Sequence, residues 1–203
     1  MTHARTRLIA CWLLISLLPA CHTAPEAPKL TSAPAAPDTA VRTAAIAIPD
    51  RYGAQVAEDV LRSGGNAVDA AVATGFALAV TYLDAGNIGG GGFMLMHMDG
   101  EAALLDYREM APLASHRDMY LDADGEVIEN ASLIGARAAG VPGTVAGLWQ
   151  AHQRYGSLPW KDLVMPAVKL AEEGFMPAPS LVEDIRDYRE WFGDATNFWT
   201  YFG

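Results

Sequence analysis

The segment from Ala67 to Tyr82, AVDAAVATGFALAVTY, carries a single charged residue, Asp69, and no proline. A helix of that composition is apolar on every face, so other elements must cover it on most sides. It is shorter than the ~20 residues a membrane-spanning helix needs, which makes it a core helix. Asn66 stands directly before it as an N-cap, where a side-chain oxygen accepts from the helix's first free N–H groups. The rest of the chain must supply the cover.

The neighbouring stretches read as short elements. Folded sequence is expected to begin near Val41 with the apolar run AAIAI. Tyr52 to Arg62 follows, with Ala54, Ala57, Val60 and Leu61 at helical spacing, and Gly64-Gly65 stop it. Past the core helix, Phe93 to Met98 and Ala102 to Tyr107 are apolar runs joined by Asp99-Gly100-Glu101, the pattern of a β-hairpin with a D-G turn. Pro142-Gly143-Thr144 opens a helix to about Tyr155, closed by Gly156. Another starts at Pro159, is kinked or delayed by Pro166, and stops at Gly174. Ser180-Leu181-Val182-Glu183 has the form of a capping box for a last helix to about Phe192. Helix, helix, hairpin, then helices defines an α+β class. The aromatic run Asn197 to Gly203 belongs in a core or an interface, and the sequence is expected to stop mid-domain.

Composition bounds the partners. Of 203 residues 51% are hydrophobic and 19% charged, as in ordinary globular proteins, and a formal net charge of −10 repels phosphate backbones. Nucleic acid is excluded as an expected partner because no basic stripe exists to displace counterions. Residues 1–20 read as a signal peptide: Arg5 and Arg7 precede the apolar stretch Leu8 to Leu18. Leu18-Pro19-Ala20-Cys21 resembles the lipobox of bacterial lipoproteins, in which the cysteine is acylated; ordinary cleavage near Ala20 is the other reading. Either one exports the chain, and the first makes it a membrane-tethered periplasmic lipoprotein. Residues 21–40, rich in proline and alanine, form a tether. Residues 41–203 are the folded part, and they hold no cysteine for a disulfide or a thiolate metal site.

The glycine-rich stretch Ala85 to Gly100, AGNIGGGGFMLMHMDG, raises the question of phosphate binding. Phe93 follows the last glycine where a phosphate loop needs lysine and a hydroxyl, and the order of helix then strand is the reverse of a dinucleotide fingerprint. Those glycines instead suit a backbone passing tightly against a core. Asp122-Ala123-Asp124-Gly125-Glu126 lacks the later carboxylates of a calcium loop and reads as a surface turn. His97, His116 and His152 have no ligand spacing, so neither a metal nor a cofactor is expected. Arg108, at the end of the second predicted strand, has two possible uses. It can clamp a substrate carboxylate with its planar fork, or pair internally with Asp106, Glu109 or Asp118.

Four blocks in order carry a family resemblance: Gly64-Gly65-Asn66-Ala67-Val68-Asp69-Ala70-Ala71-Val72-Ala73, Ala85-Gly86-Asn87-Ile88-Gly89-Gly90-Gly91-Gly92-Phe93-Met94, Asp106-Tyr107-Arg108-Glu109-Met110-Ala111-Pro112, and Val141-Pro142-Gly143-Thr144-Val145-Ala146-Gly147. Together they resemble the large-subunit motifs of the γ-glutamyltransferases, or glutathione hydrolases, over about Val41 to Gly203. Tyr82-Leu83-Asp84 departs from the histidine and proline often found before the glycine block. The resemblance implies an N-terminal-nucleophile hydrolase with an αββα sandwich, made as a precursor that cuts itself into two subunits. It also implies glutathione and other γ-glutamyl compounds as substrates, with no cofactor. A threonine at the start of the small subunit would take the γ-glutamyl group and pass it to water or an amino acid, and its α-amine would serve as base. The arginine of the third block, Arg108 here, would grip the α-carboxylate of the glutamyl group. No segment of the chain resembles the threonine block. The catalytic residues are therefore expected outside it, on the small subunit as heterodimer partner, and the chain alone is expected to be inactive as a truncated large subunit. A non-catalytic exported lipoprotein that binds partners, or a gene relic, is the alternative expectation.

The N-terminal reading makes a prediction. Cys21→Ala should move the protein from the membrane fraction to the soluble fraction on cell fractionation. An unchanged distribution would rule out acylation at Cys21.

Overall fold

The computed structural model describes residues 44–192 and Thr200. The order of elements is α1 (Arg51–Arg62), α2 (Ala67–Thr81), β1 (Phe93–Met98), β2 (Glu101–Asp106), α3 (Thr144–Tyr155), α4 (Trp160–Glu173) and α5 (Pro179–Phe192). Mixed helix and strand is the class the element order predicts. The signal peptide, the tether with Cys21 and the aromatic run at 197–203 lie outside the described residues, apart from Thr200.

The apolar helix takes the centre. α2 buries Val68, Asp69, Ala70, Val72, Ala73, Thr74, Phe76, Ala77 and Thr81 against α1, α3 and α4. Small residues along it allow close packing: Gly53 of α1 leaves room for Leu78, whose Cδ2 would lie 2.9 Å from any Cβ added there. Phe76 meets the edge of Trp160 at 5.4 Å between ring centroids, and Trp160 meets Trp149 at 5.0 Å, so one aromatic cluster joins α2, α3 and α4. Asp50 caps α1 by accepting from Gly53 N at 2.8 Å, and the same oxygen accepts from Thr81 Oγ1 at 2.8 Å. That contact ties the start of α1 to the end of α2. Among the described residues no helix is long and apolar enough to cross a membrane.

The one charge of α2 is fully buried and fully used. Asn66 Oδ1 accepts from Val68 N and Asp69 N, and Asp69 Oδ2 accepts from Asn66 N at 2.9 Å, which closes a capping box. The same Asp69 carboxylate accepts from Ser157 N at 3.0 Å, from the Ser157 hydroxyl and from Leu158 N at 3.3 Å. Asn66 Nδ2 donates to Tyr155 O at 2.7 Å. The start of α2 is thereby fastened to the turn between α3 and α4. Burial pushes the Asp69 pKa upward, but the hydrogen bonds from Ser157, Asn66 and Leu158 outweigh it and hold the carboxyl below its ordinary value.

β1 and β2 form one antiparallel ribbon, with Phe93 opposite Asp106 and Met98 opposite Glu101. Met94, Met96, Met98, Ala103 and Leu105 face the helical core, whereas Phe93, Leu95 and Leu104 are exposed on the other face. The turn corrects the predicted frame. Asp99 and Gly100 alone make it, both at positive φ (52° and 86°), so β2 begins at Glu101 and ends at Asp106 instead of spanning 102–107. A two-residue turn with both central residues left-handed matches strand twist better than a three-residue one. α5 also differs. Pro179 is its first residue and Ser180 its second, so Ser180 is no N-cap; proline lacks the N–H a cap would satisfy and presets the helical φ. The run AAIAI forms no regular element, and Ala44, Ala45, Ile46 and Ala47 are largely exposed. α4, by contrast, runs unbroken from Trp160 through Pro166 to Gly174, whose φ of 79° ends it.

Asp69→Ala would strand the N–H groups of Ser157 and Leu158 and the Ser157 hydroxyl. The expected loss is roughly 2–4 kcal/mol, read from the urea midpoint. Because the folded pKa is depressed, the stabilisation from the carboxylate is fully present above its unfolded pKa and disappears as pH falls through the folded value. Wild type should therefore lose stability below about pH 4, and Asp69→Ala should show a flatter acid profile.

Candidate functional site

The third motif block leaves β2 with Tyr107 turned inward and Arg108 outward. Pairing continues one step past the strand, since Tyr107 N donates to Gly92 O at 3.0 Å and Gly92 N to Tyr107 O at 3.4 Å. Glycines from two other blocks make room for this residue. A Cβ added at Gly91 would lie 2.6 Å from Tyr107 O, one at Gly143 2.0 Å from the same oxygen, and one at Gly147 2.2 Å from Tyr107 Cγ. None of these distances is open to a real side chain. The half-buried phenol is pushed to a higher pKa by desolvation.

The glycine block also meets the start of α3. Gly90 O accepts from Gly143 N at 2.8 Å and from Thr144 N at 3.0 Å. Two of the N–H groups at that helix start, those of Gly143 and Thr144, are thus occupied by the protein's own backbone. Met110 and Val141 then exchange two backbone bonds, 3.1 Å and 2.8 Å, which closes the third block onto the fourth. Three motif blocks therefore converge on Tyr107, and the residue they fix next in the chain is Arg108.

Arg108 is exposed, and its guanidinium carbon lies 6.0 Å from the centre of the Phe93 ring. The internal ion pair is not formed. Asp106 Oδ1 accepts instead from the backbone N–H of Arg108 at 3.0 Å, Asp118 pairs with Arg117 at 3.4 Å, and Glu109 is bonded to neither the side chain nor a neighbour of it. Among the described residues the Arg108 fork has no carboxylate partner. A cleft of about 460 Å³ opens beside it, lined among others by Glu109, Tyr120 and Arg137.

The remaining candidates fall away from this place. His97 and His116 are exposed, and His152 Nε2 donates to Leu158 O at 2.7 Å inside the aromatic cluster. Asp122 Oδ1 accepts from Asp124 N and Glu126 N at 2.9 Å, with Gly125 at φ 85°, so the acidic stretch is a turn whose carboxylate is occupied by its own backbone. Among the described residues no three His, Cys, Asp or Glu side chains gather as metal ligands. Two residues had been given no role of their own in the sequence: Tyr107, on which the blocks close, and Arg137. The signal for Tyr107 was available in Gly143 and Gly147, four apart on one helix face and therefore a track for a close neighbour.

The mixed α and β core, with a glycine loop and a helix start closing beside an outward arginine, matches part of the N-terminal-nucleophile-type fold of solved γ-glutamyltranspeptidases. The γ-glutamyltranspeptidase family model matches residues 53–203, and the chain belongs to that family. It is 60% identical to the glutathione hydrolase proenzyme of Pseudomonas aeruginosa over 78% of the chain and 28% of that protein, and 49% identical to that of Escherichia coli over 70% and 25%. Among solved structures it resembles the γ-glutamyltranspeptidase of Pseudomonas nitroreducens complexed with L-DON (TM-score 0.77, 58% identity, 79% of this chain and 48% of that one). The Helicobacter pylori enzyme gives a TM-score of 0.73 at 44% identity, over 76% and 45%. The chain thus spans about a quarter of the length of these curated relatives and just under half of the solved chains.

Gly147→Ala should collide with the Tyr107 ring and cost at least ~1–3 kcal/mol as overpacking. Tyr107→Ala should relieve part of that cost, so a double-mutant cycle on thermal unfolding should show a coupling of about 1 kcal/mol or more. Additive effects would mean that the two residues are not packed as described.

Proposed function

We propose that Arg108 binds the α-carboxylate of a γ-glutamyl group, and that this chain contributes the recognition side of a γ-glutamyl hydrolase and transferase. The observation that carries the reading is an outward guanidinium without a carboxylate partner among the described residues, fixed at a strand end by the closure of three motif blocks on Tyr107. A rigid backbone beneath a planar fork is what bidentate carboxylate recognition requires. Family membership supports the substrate class, since the relatives are glutathione hydrolases. The nucleophilic threonine, its α-amine base and the donors for the oxyanion are assigned to the part of the relatives that this chain does not span. Attack of the threonine hydroxyl on the γ-amide carbonyl would form an ester and release the amine; water or an amino acid would then take the acyl group. A small subunit cut from the same precursor would be the partner.

The same reading extends to location. Residues 1–20 serve as an export signal, residues 21–40 as a tether and Cys21 as a lipid anchor holding the enzyme at a periplasmic membrane surface. The basic start, short apolar run and lipobox-like cysteine support it.

The test of Arg108 uses a precursor that continues this chain to the length of its relatives. Loss of a bidentate contact in a partly desolvated site costs on the order of 2–5 kcal/mol, so Arg108→Ala should lower kcat/KM for a γ-glutamyl anilide by ~30-fold or more. Arg108→Lys should recover only part, because lysine keeps the charge without the fork. A surface charge contributing about 0–1 kcal/mol would leave donor kinetics nearly unchanged, and that result in a correctly cleaved enzyme would refute the assignment.

A further inference from the structure

Arg137 shares the cleft with Arg108. Its segment is tied to another stretch of the lining: Tyr120 Oη donates to Arg137 O at 3.1 Å, and Arg137 Nη1 donates to Met119 O at 3.4 Å. Of the five N–H donors of the guanidinium, that contact uses one. Among the described arginines, Arg62 pairs with Glu58 and Arg117 with Asp118, while Arg51 donates to the Tyr52 hydroxyl and Arg154 lies over the Tyr155 ring. Arg108 and Arg137 have no carboxylate partner among the described residues, and Glu109, which also lines the cleft, forms an ion pair with neither. What sets Arg108 and Arg137 apart is that both line one cleft, in a chain of net charge −10.

With two guanidinium groups and one carboxylate, Glu109, on its lining, the cleft keeps an excess of positive charge that suits an anionic ligand, and its two arginines can serve two separated carboxylates. The volume of about 460 Å³ falls within the range of small-molecule sites. We propose that Arg137 is a second carboxylate site, holding the C-terminal carboxylate of the peptide attached to the γ-glutamyl group while Arg108 holds the α-carboxylate. The inference rests on the Arg108 reading for the identity of the first carboxylate. It adds a preference for γ-glutamyl peptides that end in a free acid over those that end in an amide or an aromatic amine.

The experiment compares glutathione with its glycyl amide as donors, in a precursor continued to the length of the relatives. Arg137→Ala should lower kcat/KM for the free acid about 5-fold or more, mainly through KM, and leave the amide within about 2-fold of wild type. Arg137→Met keeps the side-chain stem without the charge and should behave alike, which separates charge from packing. Rising ionic strength should erode the wild-type preference for the acid. Equal effects on acid and amide, or no effect on either, would overturn the Arg137 site. Arg108→Ala should weaken both donors. If it weakens neither while Arg137→Ala still costs only the acid, the Arg108 reading fails and the Arg137 site stands.

Discussion

The site depends on the space around Tyr107. Its carbonyl and ring occupy positions that side chains at Gly91, Gly143 and Gly147 would fill, and those glycines come from two segments far apart in sequence. Interiors pack at crystal-like density, so such a close approach is a constraint with no slack. Arg108 inherits its position from that constraint, because the residue before it cannot shift without displacing the ribbon, the glycine loop and α3 together. The glycines act by admitting a neighbour.

A second constraint sits at the other end of α2. Asp69 and Asn66 satisfy each other's helix-start groups and then reach across to Tyr155, Ser157 and Leu158. A buried carboxylate is tolerable only where its acceptors are filled, and here every close donor is a backbone N–H or a hydroxyl, with no cation. α2 is thereby fixed in depth and rotation against α3 and α4. The helix that carries Gly147 is consequently held from both sides, by Asp69 through its C-terminal turn and by Tyr107 along its face.

Local chemistry was legible in the sequence wherever one residue decides one conformation. Asn66 before an apolar run predicted the start of α2, Asp99-Gly100 the hairpin, and Gly174 the end of α4, since each depends on neighbours within a turn. The hairpin frame was misjudged by one residue because D-G-E admits two turn lengths and only pairing across the strands selects one. Ser180 misled because a capping box pattern cannot reveal that the preceding proline already occupies the first helical position. AAIAI is apolar enough for a strand, but a strand also needs a partner edge, and among the described residues none pairs with it. The Arg108 ion pair was a matter of which way Asp106 turns, and its carboxylate turns back to the backbone. Arg137 was invisible for a related reason: nothing in a one-dimensional pattern brings it to the cleft of Arg108.

The bond from Ser157 to Asp69 spans 88 residues of chain, and it sets a waiting time during synthesis. At roughly 5–20 residues per second, the first turn of α2 is made about 4–18 s before the groups that fasten it exist. Over that interval α1 is the neighbour already made, joined through a short Gly64-Gly65 turn and through Asp50 and Thr81 at the far end. The α1–α2 hairpin is thus the unit that can shelter the apolar helix first, with low contact order and little loop entropy to overcome. Its other faces stay uncovered until α3 and α4 are translated, which makes the nascent chain most dependent on protection from aggregation in the window when its most apolar element is already complete.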